Sequence, residues 1–193
     1  MTKEQKINEV YTLVKKCKNC SLYKTRNNPV IGEGSIDTAV MFIGEAPGRN
    51  EDIQGRPFVG KAGKILDQLL NSIDLERKDV YIANILKCRP PNNRNPLKKE
   101  IKNCVNFLDQ QIKIIKPKII APLGNFAVTY IFEKYGMKPD KIGNAHGKIF
   151  CVKNGANRLT IIPLYHPAAA VYNPNLIDFL ISDFKSISKA LND

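Results

Sequence analysis

The chain has 193 residues, enough for one domain whose hydrophobic core needs no disulfide bonds. No apolar run approaches the ~20 residues that cross a membrane, and the N-terminal segment MTKEQKINEV lacks the apolar stretch of a secretory signal, so we expect a cytoplasmic protein. Thirty Lys and Arg residues against 18 Asp and Glu residues give a formal charge of +12, which favours a polyanionic partner such as nucleic acid.

The N-terminal half of the chain predicts helices and strands in alternation. Residues 3–16 place apolar side chains on one helical face, and residues 65–73 do the same. The continuous apolar run AVMFI at 39–43 is typical of a buried strand that delivers a loop beginning at Gly44. Residues 80–86, VYIANIL, predict the next strand.

The C-terminal half continues the alternation. Asn95 and Pro96 are typical of a helix cap and first helical position, and the helix is expected to run to about Ile115. The other predicted elements are a strand at 118–123, a helix opening at Gly124 and Asn125, a hairpin at 145–162 and an amphipathic helix at 176–191. Together these elements predict an α/β sandwich around a mostly parallel sheet. The loops after Ile43, Leu86 and Leu164 would then meet at the carboxyl ends of the strands, where such folds bind ligands.

The segment GRPFVGKAG nearly matches a nucleotide-binding P-loop. Gly55, Gly60 and Lys61 have the P-loop spacing, but Ala62 stands where a Ser or Thr must bind Mg²⁺. Pro57 also lacks one of the backbone amides that would bind phosphate. The pattern therefore argues against a P-loop.

The loop also contains an aromatic residue and several acids. Phe58 predicts either a hydrophobic plug under the loop or a surface for stacking. The carboxylates of Glu45, Glu51 and Asp52 would repel a phosphate backbone. They suit a pocket for a neutral ring, such as a base flipped out of DNA.

Four of the five cysteines lie in or beside polar, basic segments. Cys17 and Cys20 have the spacing of a chelating pair, whereas Cys88 and Cys104 are separated by 15 residues. This order matches neither a zinc ribbon nor a ferredoxin, so zinc, a [4Fe–4S] cluster and unligated cysteines all remain open at this point. Cys151 lies in the apolar run IFCV, which predicts a buried small hydrophobic residue.

Three motifs, in order and together with the four cysteines, resemble one family. They are GEAPGRNEDIQGRPFVGKAG at 44–63, NILKCRPPNNRNP at 84–96 and HPAA at 166–169. The chain resembles the iron–sulfur uracil-DNA glycosylases, called family four, in register from about Cys17 to the C-terminal helix. The resemblance implies a single α/β/α domain over residues 1–193 and excision of uracil from single- or double-stranded DNA in base excision repair. It also implies a nucleoid-associated monomer and a structural [4Fe–4S] cluster held by Cys17, Cys20, Cys88 and Cys104.

The resemblance also assigns the uracil-binding residues, which are Gly44, Glu45, Ala46, Phe58, Asn84 and His166. Phe58 would stack on the base. Asn84 would read its edge, because an amide offers a donor and an acceptor side by side. His166 would donate to uracil O2 and stabilise the departing anion.

One position departs from the best-known uracil glycosylases. Those enzymes use an Asp to position the attacking water, and Ala46 stands at that position here, as is usual for family four. Glu45, Glu51 and Asn93 are the candidates for this catalytic role.

DNA phosphates are expected to contact the basic residues that follow the second strand, namely Arg89, Arg94, Lys98 and Lys99. An alternative from another class is a non-catalytic iron–sulfur accessory protein that binds DNA through the same fold.

Overall fold

The computed structural model describes residues 1–138, 140–155 and 157–192. The strands in these ranges are β1 (Glu33–Gly34), β2 (Val40–Gly44), β3 (Tyr81–Asn84), β4 (Ile119–Pro122), β5 (Phe150–Asn154) and β6 (Asn157–Ile161). The helices are α1 (Lys3–Lys16), α2 (Arg49–Gln54), α3 (Lys61–Asn71), α4 (Lys98–Ile115), α5 (Asn125–Lys134), α6 (Ile142–Ala145), α7 (Ala168–Tyr172) and α8 (Ile177–Asn192). No helix in the described ranges is long and apolar enough to span a bilayer.

Across the described residues, six strands form one sheet in the order β1-β3-β2-β4-β6-β5. The inner pairs β3–β2, β2–β4 and β4–β6 are parallel, and the two edge pairs are antiparallel. The predicted, mostly parallel sheet is therefore confirmed, with antiparallel strands confined to its edges. All four inner strands end at the same side of the molecule, and the functional loops begin there.

Helices cover both faces of the sheet, as the three-layer α/β/α prediction requires. Phe42 of β2 faces one core, which also contains apolar residues of α3, α7 and α8. Met41 and Ile43 face the other core, which is shared with α4, α5 and α6. Successive side chains of a strand point to opposite faces, so the continuous apolar run of β2 fills both cores.

The N-terminal helix α1 lies outside these two cores and packs against α4. Val10 and Val14 of α1 contact a third apolar cluster that includes Cys88, Cys104 and Phe107. The helix begins at a capping box in which the Thr2 side chain accepts from the Gln5 amide and the Gln5 side chain accepts from the Thr2 amide. This packing places the end of α1, and with it Cys17, beside α4.

The structure corrects the predicted first residues of helix α4 and of the hairpin. Helix α4 begins at Lys98 with Leu97 as its cap, and Pro96 lies outside the helix, because Glu100 accepts from the Leu97 amide. The hairpin begins at Phe150, since α6 ends at Ala145.

The prediction that Cys151 is buried is wrong. Its side chain is exposed, and its Sγ accepts a hydrogen bond of 2.7 Å from the Arg158 guanidinium. Strand β5 is an edge strand, so its alternate residues face solvent although the local run is apolar.

Candidate active site

The loops at the carboxyl ends of the strands enclose a cavity of about 690 Å³. The predicted site residues that line it are Glu45, Ala46, Glu51, Phe58, Asn84, Asn93, Arg94 and His166. They come from four separate segments of the chain, which the parallel sheet brings to one edge. Arg89, Lys98 and Lys99 do not line the cavity.

Asn84 is the last residue of β3 and lies in register with Gly44 of β2. The side chain is only 2% exposed. Among the side-chain nitrogen and oxygen atoms of the described residues, Asn84 Oδ1 is the one buried atom that has no hydrogen-bond partner. An unpartnered buried acceptor costs about 1–3 kcal/mol, so this atom indicates a ligand that donates a hydrogen bond.

Gly44 provides the space that this arrangement needs. A Cβ atom built at Gly44 would collide with Asn84 Oδ1 and would lie 2.8 Å from Cζ of Phe58. Any larger residue would displace the amide or the ring. The glycine therefore allows Asn84 and Phe58 to face one small volume.

The loop that carries Phe58 is held from both sides. Phe58 has a left-handed backbone with φ of 51°, which is unfavourable for a bulky residue. The guanidinium of Arg77 donates to the Phe58 carbonyl and to the carbonyl before it. On the other side, Glu51 Oε1 accepts from the amides of Val59 and Gly60, both at 2.9 Å. These contacts hold the aromatic ring in a strained but defined position.

Replacement of Gly63 by alanine is expected to destabilise this loop. Gly63 lies in the first turn of α3, and a Cβ there would overlap the Phe58 carbonyl. We expect a loss of at least about 2 kcal/mol in the free energy of unfolding, measured by denaturant titration. Gly143→Ala is the matched control, because its Cβ would meet only the Tyr165 hydroxyl at 3.7 Å. Equal stability of the two variants would contradict the packing described here.

His166 is a neutral hydrogen-bond donor in this site. The Ala168 amide donates to His166 Nδ1 at 3.1 Å, which leaves the ring proton on Nε2. Burial lowers the pKa of His166 to about 4, against a weaker opposing effect of Glu51. The ring lies nearly parallel to that of Phe58, with 5.5 Å between the centroids. His166 can therefore offer an uncharged N–H to a ligand above Phe58.

The three candidates for the water-positioning role have different surroundings. Glu51 is already bound to the Phe58 loop through Oε1. Asn93 is exposed, and its Oδ1 accepts from Arg89 Nε at 2.7 Å. Glu45 is half-buried, which raises the pKa of its carboxyl, and it forms no side-chain hydrogen bond or ion pair with the described residues.

The basic residues beside the cavity divide into paired and unpaired groups. Arg94 forms a two-point ion pair with the buried Glu100, with N–O distances of 2.6 and 2.9 Å. Lys98 and Lys99 are exposed and form no ion pair within the described part of the chain.

Sequence reasoning missed one residue at the cavity rim. Tyr172, the last residue of α7, is 88% exposed and lines the cavity. An exposed aromatic ring beside basic residues suits stacking against an unpaired base. Its position six residues after His166 is the feature of the sequence that could have indicated it.

The four predicted cysteines line a second, small cavity between α1, α4 and the segment after β3. The guanidinium of Arg26 donates to Cys88 Sγ at 3.1 Å, and the amide of Lys87 donates to Cys104 Sγ at 3.2 Å. Burial raises the pKa of the Cys104 thiol to about 12, so a metal centre must displace a tightly held proton. Cys151 lies outside this cavity.

The described residues contain no group of three or more His, Cys, Asp or Glu side chains arranged to hold a single metal ion. The four cysteines instead surround a shared space. A cluster of several atoms holds its thiolates further apart than one ion does. Four cysteines around a cavity, with N–H donors aimed at two of the sulfurs, fit an iron–sulfur cluster that they would bind as thiolates.

Comparison with known proteins agrees with this site. The profile of the uracil DNA glycosylase superfamily matches residues 31–193. Type-4 uracil-DNA glycosylase of Sulfurisphaera tokodaii is 51% identical and covers 89% of this chain and 78% of that protein. The protein of the same name from Saccharolobus solfataricus is 48% identical, with 93% and 83% covered, and that from Archaeoglobus fulgidus is 42% identical, with 96% and 93% covered. A chain with this site and these relatives belongs to the uracil-DNA glycosylase superfamily, in its type-4 branch.

Proposed function

We propose that the protein is a uracil-DNA glycosylase that takes uracil out of the DNA stack and hydrolyses its N-glycosidic bond. The relatives that carry this name support the activity. The observation that carries the proposal is the unpartnered Oδ1 of Asn84 beside the Phe58 ring. Uracil N3–H would donate to Oδ1, while Nδ2 of the same amide would donate to uracil O4. Cytosine presents a bare nitrogen and an amine at these positions and leaves both groups of Asn84 unpaired.

The chemistry follows from the surroundings of the base. Flipping uracil out of the stack costs a few kcal/mol, and this cost is lowest for a mispaired or single-stranded base. Bond cleavage places negative charge on the departing uracil and oxocarbenium character on the sugar. The neutral Nε2–H of His166 would donate to uracil O2 and stabilise that anion. Glu45 is our choice for the group that orients water, because its carboxylate is free of protein partners within the described residues.

Release of free uracil from a labelled oligonucleotide tests the activity. The purified protein should release uracil from a uracil-containing strand and nothing from the matched thymine or cytosine strand. The alternative, a non-catalytic DNA-binding accessory protein, predicts binding to the uracil strand without release. Phe58, Asn84 and His166, which the proposed catalysis would use and mere DNA binding would not, all line the cavity, and this favours the enzyme.

We also propose that Cys17, Cys20, Cys88 and Cys104 hold a [4Fe–4S] cluster. When bound, the cluster supplies a crosslink between the end of α1, the segment after β3 and helix α4. Its part is structural, because the cysteine cavity and the candidate active site have no lining residue in common.

Anaerobically purified protein is expected to contain iron and acid-labile sulfide in equal amounts. Cys104→Ser should lose both and lose thermal stability, because a buried thiolate ligand is removed. Cys151→Ser is the matched control and should keep the full iron content, since Cys151 is exposed and does not line the cysteine cavity. Stoichiometric zinc without iron or sulfide would contradict the proposal.

DNA binding is expected to weaken steeply between about 50 and 200 mM salt, because phosphate contacts release counterions. Lys98→Met and Lys99→Met should each reduce the slope of log K against log salt by about one. Lys113→Met, an exposed position near the other end of α4, is the control and should leave the slope unchanged. An unchanged slope in both Lys98→Met and Lys99→Met would exclude phosphate contacts at these positions.

Arg94→Met should chiefly lower stability, because Glu100 would be left buried without its partner.

A further inference from the structure

Lys87 is a buried cation that has no carboxylate partner among the described residues. Its side chain is 1% exposed and is among the largest fully buried side chains of the protein. The ammonium donates to the Asn84 carbonyl at 2.9 Å and to Gln111 Oε1 at 2.7 Å, both of which are uncharged. It forms no ion pair within the described ranges. A buried charge is normally paired, so the absence of an anion beside this ammonium requires a physical explanation.

The cysteine cavity lies beside Lys87 and can carry negative charge. Lys87 lines this cavity together with Cys17, Cys20, Cys88 and Cys104. Its own amide donates to Cys104 Sγ, and Cys88 is the next residue in the chain. A [4Fe–4S] cluster bound by four thiolates has a net negative charge. The cluster would therefore provide the negative charge that no described carboxylate places beside the ammonium.

The other contacts of Lys87 lead to the candidate active site. The ammonium donates to the backbone carbonyl of Asn84, and the side chain of Asn84 lines the candidate active site. Gln111 of α4, which accepts from the same ammonium, also donates to the Ile31 carbonyl and to the Tyr81 hydroxyl of β3. The ammonium thus ties both the last residue of β3 and a buried network on β3 and α4 to the cluster cavity.

We propose that Lys87 is a positioning residue whose ammonium holds the end of β3, and with it Asn84, in place, and that the iron–sulfur cluster is its counter-ion. The inference has two parts. The positioning of Asn84 by Lys87 rests on the proposed function. The role of the cluster as counter-ion concerns iron retention and does not depend on any glycosylase activity. Groups next to a metal site that support its ligands typically change metal affinity or activity by about 10- to 100-fold when removed.

The test uses the iron-loaded protein and the variant Lys87→Met, which keeps most of the length of the side chain and removes the charge and the donors. Iron release to a ferrous chelator should be at least about tenfold faster than in the parent. Inhibition by free uracil should weaken by a similar factor while the iron content at the start is still full. Lys113→Met removes an exposed lysine of α4 and should change neither quantity.

The variant Gln111→Glu changes the charge beside the Lys87 ammonium while it keeps the shape of the side chain at position 111. It is the second test, and it can be used if Lys87→Met fails to fold. It places a carboxylate of nearly the same shape 2.7 Å from the ammonium, which then competes with the cluster for the positive charge. Iron release should again be faster although Lys87 is present. Parent-like iron release in the folded variants would overturn the assignment of the cluster as counter-ion.

Faster iron release with unchanged inhibition by uracil would overturn the positioning role of Lys87. If the parent protein releases no uracil from DNA, the proposed function fails. The iron measurements would then still decide whether the cluster is the counter-ion of Lys87.

Discussion

Replacement of His166 by alanine is expected to lower kcat for uracil release by about 10²- to 10³-fold, the effect of removing one preorganised donor to a developing anion. The donor is the Nε2–H of a neutral ring, because the Ala168 amide occupies Nδ1. His166→Gln should recover part of the rate, since its amide can donate in a similar place. His146→Ala is the matched control among the two histidines. His146 bonds Asp183 at 2.8 Å and does not line the cavity, so its loss should leave kcat unchanged.

The pH dependence of kcat tests the same assignment. Burial lowers the pKa of His166 to about 4, so the ring stays neutral and able to donate from neutral pH down to that value. Protonation of His166 therefore causes no loss of rate around the ordinary histidine pKa of about 6.5. Any acid limb well above pH 4 should be the same in the parent and in His166→Gln, and it should reflect a carboxyl such as Glu45, whose pKa is raised by burial. An acid limb near 6.5 that disappears in His166→Gln would contradict the neutral donor.

Replacement of Asn84 is expected to have the other large effect. Asn84→Ala removes both hydrogen bonds to the uracil edge, which at about 1–3 kcal/mol each corresponds to a loss of at least about thirtyfold in kcat/KM. Asn84→Asp should also lose at least about tenfold, because a carboxylate cannot donate to O4, and any gain on cytosine should be small. Both rates are measured on matched single-stranded oligonucleotides.

The free energy of unfolding of the Asn84 variants shows whether Asn84 binds the base or supports the fold. Asn84 Oδ1 is buried and unpartnered without a ligand, so its removal in Asn84→Ala should leave the free energy of unfolding unchanged or raise it. Sites that bind ligands often retain such unfavourable groups. If Asn84→Ala and Asn84→Asp both cleave uracil at the parent rate, then Asn84 does not read the base.

Much of the candidate site could be predicted because its parts lie in short, distinctive segments. The loop with Phe58, the strand that ends at Asn84 and the HPAA segment are each visible in the sequence, and all three line one cavity. The roles of the acids could not be predicted, because they depend on partners far away in the chain. Glu51 proves to hold the Phe58 loop, and Arg77, which no motif indicated, holds it from the other side.

The sequence by itself predicted the long helices α1, α3, α4, α5 and α8, the inner strands β2, β3 and β4, the β5–β6 hairpin and the mostly parallel sheet, but it did not predict β1, α2, α6 or α7. The predicted features follow from apolar periodicity and from residue types, which act over a few neighbouring positions. Only the tertiary structure decided that Cys151 is exposed, that Lys87 is buried and that Asn84 Oδ1 lacks a partner. Each of these depends on sheet position or on contacts between segments distant in the chain, and local sequence carries no record of such contacts.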